Sequence, residues 1–336
     1  MAETFDIQSR RYIGSKAKLL PWIFSTIQKE TTNVKSFCDI FAGTGVVANE
    51  GVKKYDTVVV NDLLFSNQVI YRAFWGKGKA SKRKIQGLIS EFNSLDANSL
   101  DDNYFSLNYG NKFFDAASAR KIGYIRDYIE QEKVNLTPKE VNVLLASLIY
   151  GMDKIANTLG HYEAYIHKEI EPRELKIKMI DYQCLKNVEI YQEDANKLAR
   201  RISCDLVYID PPYNSRQYSR FYHLYETLVK WDKPKLSGTA MKPPLENMSD
   251  YCSNRAKIAM ADLVQNLDTR YLVVSYNNTY NSKSSSSQNK IQLDELRSIL
   301  SSVGKTKIFE HSHKFFNAGK TEFKDHKELL FVTKVK

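Results

Sequence analysis

No apolar run in the sequence approaches the roughly 18 to 20 residues that a membrane helix needs, and Met1 to Arg11 lack the apolar stretch of a signal peptide. These absences predict a protein that remains in the cytoplasm where it is made. Cysteine is scarce: Cys38, Cys184, Cys204 and Cys252 are scattered, form no C-x-x-C pair and suit free thiols in a reducing compartment. His311 and His313 alternate along a strand-like segment, but no Cys, Asp or further His stands at ligand spacing beside them. Surface or packing histidines are expected there, and no metal. No internal repeat is visible, and the low-complexity stretch Ser282 to Gln288 reads as a mobile loop.

What is present begins with charge. Forty-nine Lys and Arg against 39 Asp and Glu give a net charge of +10 and a pI near 9.1. That balance favours a polyanionic partner through phosphate contacts and counterion release, with nucleic acid the first candidate. A hydrophobic content of 43% over 336 residues is enough for one large domain with a smaller inserted or appended one.

Strand-length apolar runs alternate with helical patterns, the signature of an α/β protein on a largely parallel sheet. Seven strands are predicted: Ser36 to Phe41, Thr57 to Asn61, Val188 to Gln192, Asp205 to Ile209, Tyr271 to Tyr276, Lys307 to His311 and Leu329 to Thr333. The run Leu206 to Ile209 suits a central strand covered on both faces, and the last two strands suit an antiparallel hairpin at the sheet edge. About 125 residues separate the second strand from the third, too many for a simple connection. An inserted, mainly helical domain is therefore expected over 66–186, between halves 1–65 and 187–336. Its helices are expected at Lys84 to Leu95, Ala116 to Val134, and Pro138 to Leu159 with Thr137 as cap. The insert carries a basic run, Lys77, Lys79, Lys82, Arg83 and Lys84, which suits a solvated helix entrance or a phosphate-binding surface.

Two constellations carry chemistry. Asp39-Ile40-Phe41-Ala42-Gly43-Thr44-Gly45 ends the first strand and opens a helix, and its glycines let the backbone approach a ligand closely. The second strand ends in Asp62, placed to accept from ribose hydroxyls, so adenosylmethionine and NAD both fit. Ahead of the first strand, Arg11-Tyr12-Ile13-Gly14-Ser15-Lys16 could offer Lys16 to a carboxylate, which adenosylmethionine has on its methionine half. Asp194, after the third strand, could accept from the cofactor's adenine amino group or cap a helix.

The fourth strand runs into Asp210-Pro211-Pro212-Tyr213 at the carboxyl edge of the sheet, where open α/β sheets bind ligands. Adenine's exocyclic nitrogen is a poor nucleophile because its lone pair is delocalised into the ring. The Asp210 carboxylate and the Pro211 carbonyl can draw its two protons out of plane, the Pro212 ring restricts the backbone, and Tyr213 offers a face for a flipped base. A rigid turn is the plain alternative. Beyond it, Asn214 to His223 interleaves bases with aromatics, and Tyr218 and Arg220 are candidate contacts to DNA.

In this order, the residues resemble the DNA adenine methyltransferases of the Dam and FokI-methylase type. Tyr12 to Lys16 match that family's amino-terminal cofactor motif, Phe41 to Gly45 its glycine loop, Asp62 its ribose acid and Asp210 to Tyr213 its catalytic tetrapeptide. Asn157 to Tyr162 and Ser275 to Asn278 also look like segments of the FokI-methylase branch. The resemblance implies a seven-stranded Rossmann-like methyltransferase sheet, mostly parallel with its last strand antiparallel, and an inserted target-recognition domain. It implies S-adenosylmethionine as cofactor with Tyr12, Lys16, Asp62 and Asp210 lining it, and double-stranded DNA as substrate. A monomer acting beside a restriction endonuclease is expected. The same chemistry on RNA adenine or a protein glutamine amide, a catalytically silent binding module, and a nicotinamide-dependent oxidoreductase are the competing readings.

Overall fold

The computed structural model describes residues 4–278, 289–312 and 327–336, so Ser282 to Gln288 and His313 lie outside the described residues. The chain forms two compact units. One holds Ser15–Leu64, Asn187–Tyr218 and the described part of 247–336; the other holds Phe65–Lys186 with residues 4–14 and Ser219–Glu246.

The first unit is built on one sheet of seven strands: β1 (Ser36–Asp39), β2 (Thr57–Asn61), β3 (Val188–Tyr191), β4 (Ser203–Ile209), β5 (Asp268–Asn277), β6 (Gly304–Ser312) and β7 (Lys327–Val335). Their order is β3-β2-β1-β4-β5-β7-β6. The pairs from β3 to β5 are parallel, while β7 runs antiparallel to both β5 and β6. The expected strands are all present, and the expected terminal hairpin has β7 inside and β6 at the edge. β4 to β7 run longer than the sequence suggested; in β4, β5 and β7 the apolar pattern marks the buried part of the strand, whereas β6, at the edge, is mostly exposed. β1 is shorter, since Ile40 and Phe41 already belong to the glycine turn.

Leu206 to Ile209 are at most 1% exposed, as a central strand requires. Val207, Ile209, Leu272 and Val274 pack with Met260, Leu263, Leu296 and Leu300 of the helices Ala256–Asn266 and Leu293–Val303. Each such side chain contributes about 1.5 to 3 kcal/mol of burial. Strand order reverses between β1 and β4, so the turn after Asp39 and the tetrapeptide after Ile209 leave neighbouring strand ends at the switch point where α/β sheets bind ligands.

The second unit is helical, with Phe65–Phe74, Lys82–Ser94, Tyr104–Tyr109, Ala116–Gln131, Pro138–Ile155 and His223–Lys230 as its main helices. Pro138–Ile155 starts as expected: the Thr137 hydroxyl accepts from the Glu140 amide and the Glu140 carboxylate from the Thr137 amide, with Pro138 in the first turn. It stops short of Leu159 because Ala156 turns extended and the Asn157 side chain donates through Nδ2 to the carbonyls of Lys112 and Ile166. No helix among the described residues is long and apolar enough to cross a membrane.

Candidate active site

The glycine turn gets its shape from two positive-φ residues, Gly43 (φ 53°) and Gly45 (φ 80°), which L side chains rarely tolerate. The Gly43 amide donates to Asp62 Oδ2 at 2.9 Å, and the Leu64 amide donates to Asp62 Oδ1 at 2.9 Å. Asp62 therefore holds the turn in place. Asp39, 1% exposed, accepts from the Ala48 amide at 3.0 Å and so pins the helix Val46–Val52 behind the turn. Burial pushes its carboxyl well above the usual range, and the charge of Asp210 adds to the push. Phe41 stands edge-on to Tyr251, with ring centroids 4.9 Å apart at 77°.

At the end of β4, Asp210 Oδ2 lies 3.0 Å from Lys16 Nζ, and the two side chains are 17% and 5% exposed. Asp210 Oδ1 is buried with no hydrogen-bond partner among the described residues. Burial drives the Asp210 carboxyl up to about 6, with Lys16 pulling the other way. Burial alone would lower Lys16, but Asp210 and then Glu328 outweigh it and hold the ammonium charged. The ring of Tyr213 meets Tyr276 edge-on at 5.8 Å and 73°, lies 6.0 Å from the Lys16 ammonium, and its carbonyl accepts from the Lys290 amide at 2.7 Å. Pro211 is buried and Pro212 half-buried between these anchored neighbours.

At this edge of the sheet Asp210 and Glu328 act on the buried Lys16, and Asp39 feels the charges of Asp210 and Asp62, an acidic surround that suits a cationic group. A sulfonium fits that charge, and Asp210 Oδ1, without a hydrogen-bond partner among the described residues, marks an acceptor still available.

Residues 12–299 match the family described as D12 class N6 adenine-specific DNA methyltransferase. Type II methyltransferase M.NlaIII of Neisseria lactamica is 30% identical over 94% of this chain and 95% of its own length. Modification methylase StsI of Streptococcus sanguinis is 38% identical over 80% of the chain and 44% of its own length. For type II methyltransferase M.FokI of Planomicrobium okeanokoites the figures are 32%, 88% and 47%. The chain thus spans about half of the last two and nearly all of the first. It belongs to the D12 class of N6 adenine-specific DNA methyltransferases.

The methyl donor of this D12 methyltransferase is S-adenosylmethionine. Of the residues the sequence grouped for it, the structure brings Lys16, Asp39, Phe41, Gly43, Gly45, Asp62 and Asp210 to Tyr213 into the sheet unit, with Ser15 exposed beside Lys16. Tyr12, Ile13 and Gly14 belong to the helical unit. There the Tyr12 ring stacks on Tyr222 at 4.4 Å and 7°, the Ile13 amide donates to the Tyr222 hydroxyl at 2.8 Å, and Gly14 has φ 81°. Asp194 caps the helix Ala195–Ala199 by accepting from the Lys197 amide at 3.1 Å.

Lys77, Lys79, Lys82 and Arg83 are exposed at the entrance of the helix Lys82–Ser94, with the Lys82 ammonium 5.6 Å over the ring of Tyr182. Arg220 is tied down, donating to the carbonyl of Pro243 at 2.8 Å, and half-buried Tyr218 opens the short helix Tyr218–Phe221. His311 stacks on Trp22 at 5.0 Å, a packing role. From the Asn157 to Tyr162 segment, the Tyr162 amide donates to Phe221 and its carbonyl meets His223 Nε2 at 2.8 Å, within the helical unit.

Two residues of the site escaped the sequence. Asn61, 1% exposed, donates to the carbonyls of Ile40 and Glu193, both at 3.0 Å, and accepts from the Glu193 amide at 3.2 Å. It staples the turns after β1 and β3. Glu328, opposite Asn277 in the β5–β7 pairing and 7% exposed, adds negative charge beside Lys16, Asp210 and Tyr213. The only signal for Asn61 was an amide standing directly before Asp62; for Glu328 there was none.

Proposed function

We propose that the chain transfers a methyl group from S-adenosylmethionine to N6 of an adenine flipped out of double-stranded DNA, at a specific sequence, as the modification partner of a restriction endonuclease. The observation that carries this reading is the buried Lys16–Asp210 pair, which leaves one carboxylate oxygen without a partner among the described residues at the end of β4.

Bound S-adenosylmethionine supplies an electrophilic methyl on a sulfonium. The glycine turn, Asp62 and Phe41 hold its nucleoside, and the acids around Lys16 favour its positive charge. Asp210 Oδ1 accepts one amino hydrogen of adenine and the Pro211 carbonyl the other, which localises the nitrogen lone pair toward the methyl. Lys16, bonded to Oδ2, keeps Asp210 ionised despite burial and fixes which oxygen faces the base. The Pro211-Pro212 backbone limits movement of the carbonyl, and Tyr213, anchored by Tyr276 and Lys290, stacks on the base. After transfer the nitrogen carries an extra proton, which passes to Asp210 or to water.

The helical unit, with its exposed Lys77, Lys79, Lys82 and Arg83, supports the reading of 66–186 as the target-recognition part, acting in a monomer. Sequencing DNA from cells that express the protein, with detection of modified bases, tests this directly. N6-methyladenine at one recurrent sequence is the expected result. Labelled methyl groups appearing in RNA or protein with none in DNA would overturn it.

A further inference from the structure

The backbone that follows Tyr213 is fastened by a side chain to which neither the glycine turn nor the tetrapeptide assigns a role. Gln217 Nε2 donates to the Ser249 carbonyl at 2.9 Å, and the Ser249 amide donates to Gln217 Oε1 at 2.8 Å. A primary amide carries donor and acceptor at nearly the spacing of a peptide group, so Gln217 pairs with Ser249 as one strand residue pairs with another. One residue earlier, the Arg216 carbonyl accepts from the thiol of Cys252, which is 5% exposed, at 3.3 Å, and the Arg216 amide donates to Asn214 Oδ1 at 3.0 Å. Three contacts thus tie 214–217 to 249–252.

That second segment is itself rigid. The Ser249 hydroxyl accepts from the Tyr251 amide, Tyr251 is 2% exposed, and its hydroxyl donates to Asn196 Oδ1 at 2.8 Å. Its ring is the one standing against Phe41 of the glycine turn. The loop after Tyr213 and the turn after β1 therefore share one support.

We propose that Gln217 is a positioning residue for methyl transfer: its paired hydrogen bonds with Ser249 hold the loop that follows Asp210 to Tyr213 in register with the glycine turn. The inference rests on the reading of Asp210 to Tyr213 as the methyl-transfer site. Gln217 acts through the loop backbone and touches no reacting atom. Its loss therefore lowers the rate of transfer more than the affinity for S-adenosylmethionine, whose proposed nucleoside contacts lie on the other side of the shared support.

The test uses the full chain with Gln217→Ala and Gln217→Glu, and Asp210→Ala in parallel. The glutamate keeps the size and the acceptor for the Ser249 amide but sets a carboxylate against the Ser249 carbonyl. With labelled S-adenosylmethionine and unmethylated phage DNA, kcat should fall about tenfold in both Gln217 variants, while KM for S-adenosylmethionine changes less than about twofold and the melting temperature is held. In the protein alone, the Ser249 amide should exchange with deuterium at least about tenfold faster in Gln217→Ala than in the parent. Wild-type kcat in both Gln217 variants beside an inactive Asp210→Ala overturns the positioning role and spares the site. Equal changes in kcat, KM and melting temperature also overturn it, since they mark a structural role only. Full activity of Asp210→Ala overturns the reading of the site itself.

Discussion

The two units treat buried charge in opposite ways. In the sheet unit, Lys16, Asp210 and Glu328 act on one another, Asp39 feels the charge of Asp210, and one Asp210 oxygen has no hydrogen-bond partner among the described residues. In the helical unit, buried charges mostly close helix ends. Lys139 donates to the carbonyls of Arg72, Gly76 and Gln183 at 2.9 to 3.0 Å, and Lys121 to those of Asn93 and Leu95 at 3.1 Å. Arg126 donates to the Leu228 carbonyl at 2.6 Å, while Glu226 accepts from the Phe65 and Ser66 amides. A buried charge satisfied by backbone supports a fold; one facing other charges at a strand end is poised for a ligand. The difference also teaches that net charge overstates what can meet phosphates, because Lys121, Arg126 and Lys139 are at most 3% exposed.

That contrast breaks most visibly at Asp210. Replacing it with Ala should cut methyl transfer by about 1,000-fold or more, measured by label incorporation, with the melting temperature largely held. Replacing Lys139 with Met should do the reverse: the carbonyls of Arg72, Gly76 and Gln183 lose their donor, and urea unfolding should show a loss of about 2 to 3 kcal/mol while activity below the transition persists. If Lys139→Met were as inactive as Asp210→Ala at full stability, the division between the units would fail.

The pH profile sharpens the same comparison. In the proposed mechanism Asp210 works as an ionised acceptor, and burial holds its carboxyl at about 6, so the rate should rise as pH climbs through about 6 and then level. Lys16 pulls that value down, so Lys16→Gln should move the rising limb to higher pH as well as lower it. An unmoved limb would show that the lysine does not set the charge of Asp210. The smallest effect is expected at the exposed run. Changing Lys77, Lys79, Lys82 or Arg83 to Ala should each lower the slope of log affinity against log salt by up to about 1, with S-adenosylmethionine binding unchanged.

What the sequence revealed and what it hid follow the same physical line. The buried run Leu206 to Ile209, the glycine turn and Asp210 to Tyr213 are contiguous, and their chemistry can be read from neighbouring letters. Thr137 and Pro138 marked a helix start because capping is local. Glu328 reaches the site only because β7 enters the sheet antiparallel beside β5, and Asn61 acts through carbonyls of two other turns; neither contact has a sequence signature. The end of the helix Pro138–Ile155 was misjudged for the same reason, since the Asn157 bonds that fix the following backbone are tertiary. Among the lysines, composition could not separate Lys139, which closes a helix, from Lys77, which faces solvent.

The helical unit is stitched from stretches that the sequence scatters widely: residues 4–14, Phe65–Lys186 and Ser219–Glu246. Its stacked rings Tyr12, Tyr222 and Tyr225, with the Arg10 guanidinium over Tyr12 and Tyr225, draw on both flanking stretches. Transplanting the central stretch alone into a relative would therefore carry its helices without the ring stack that completes the unit. On the proposed function, a change of sequence preference would then come more readily from altering the unit's surface residues in place than from exchanging that stretch.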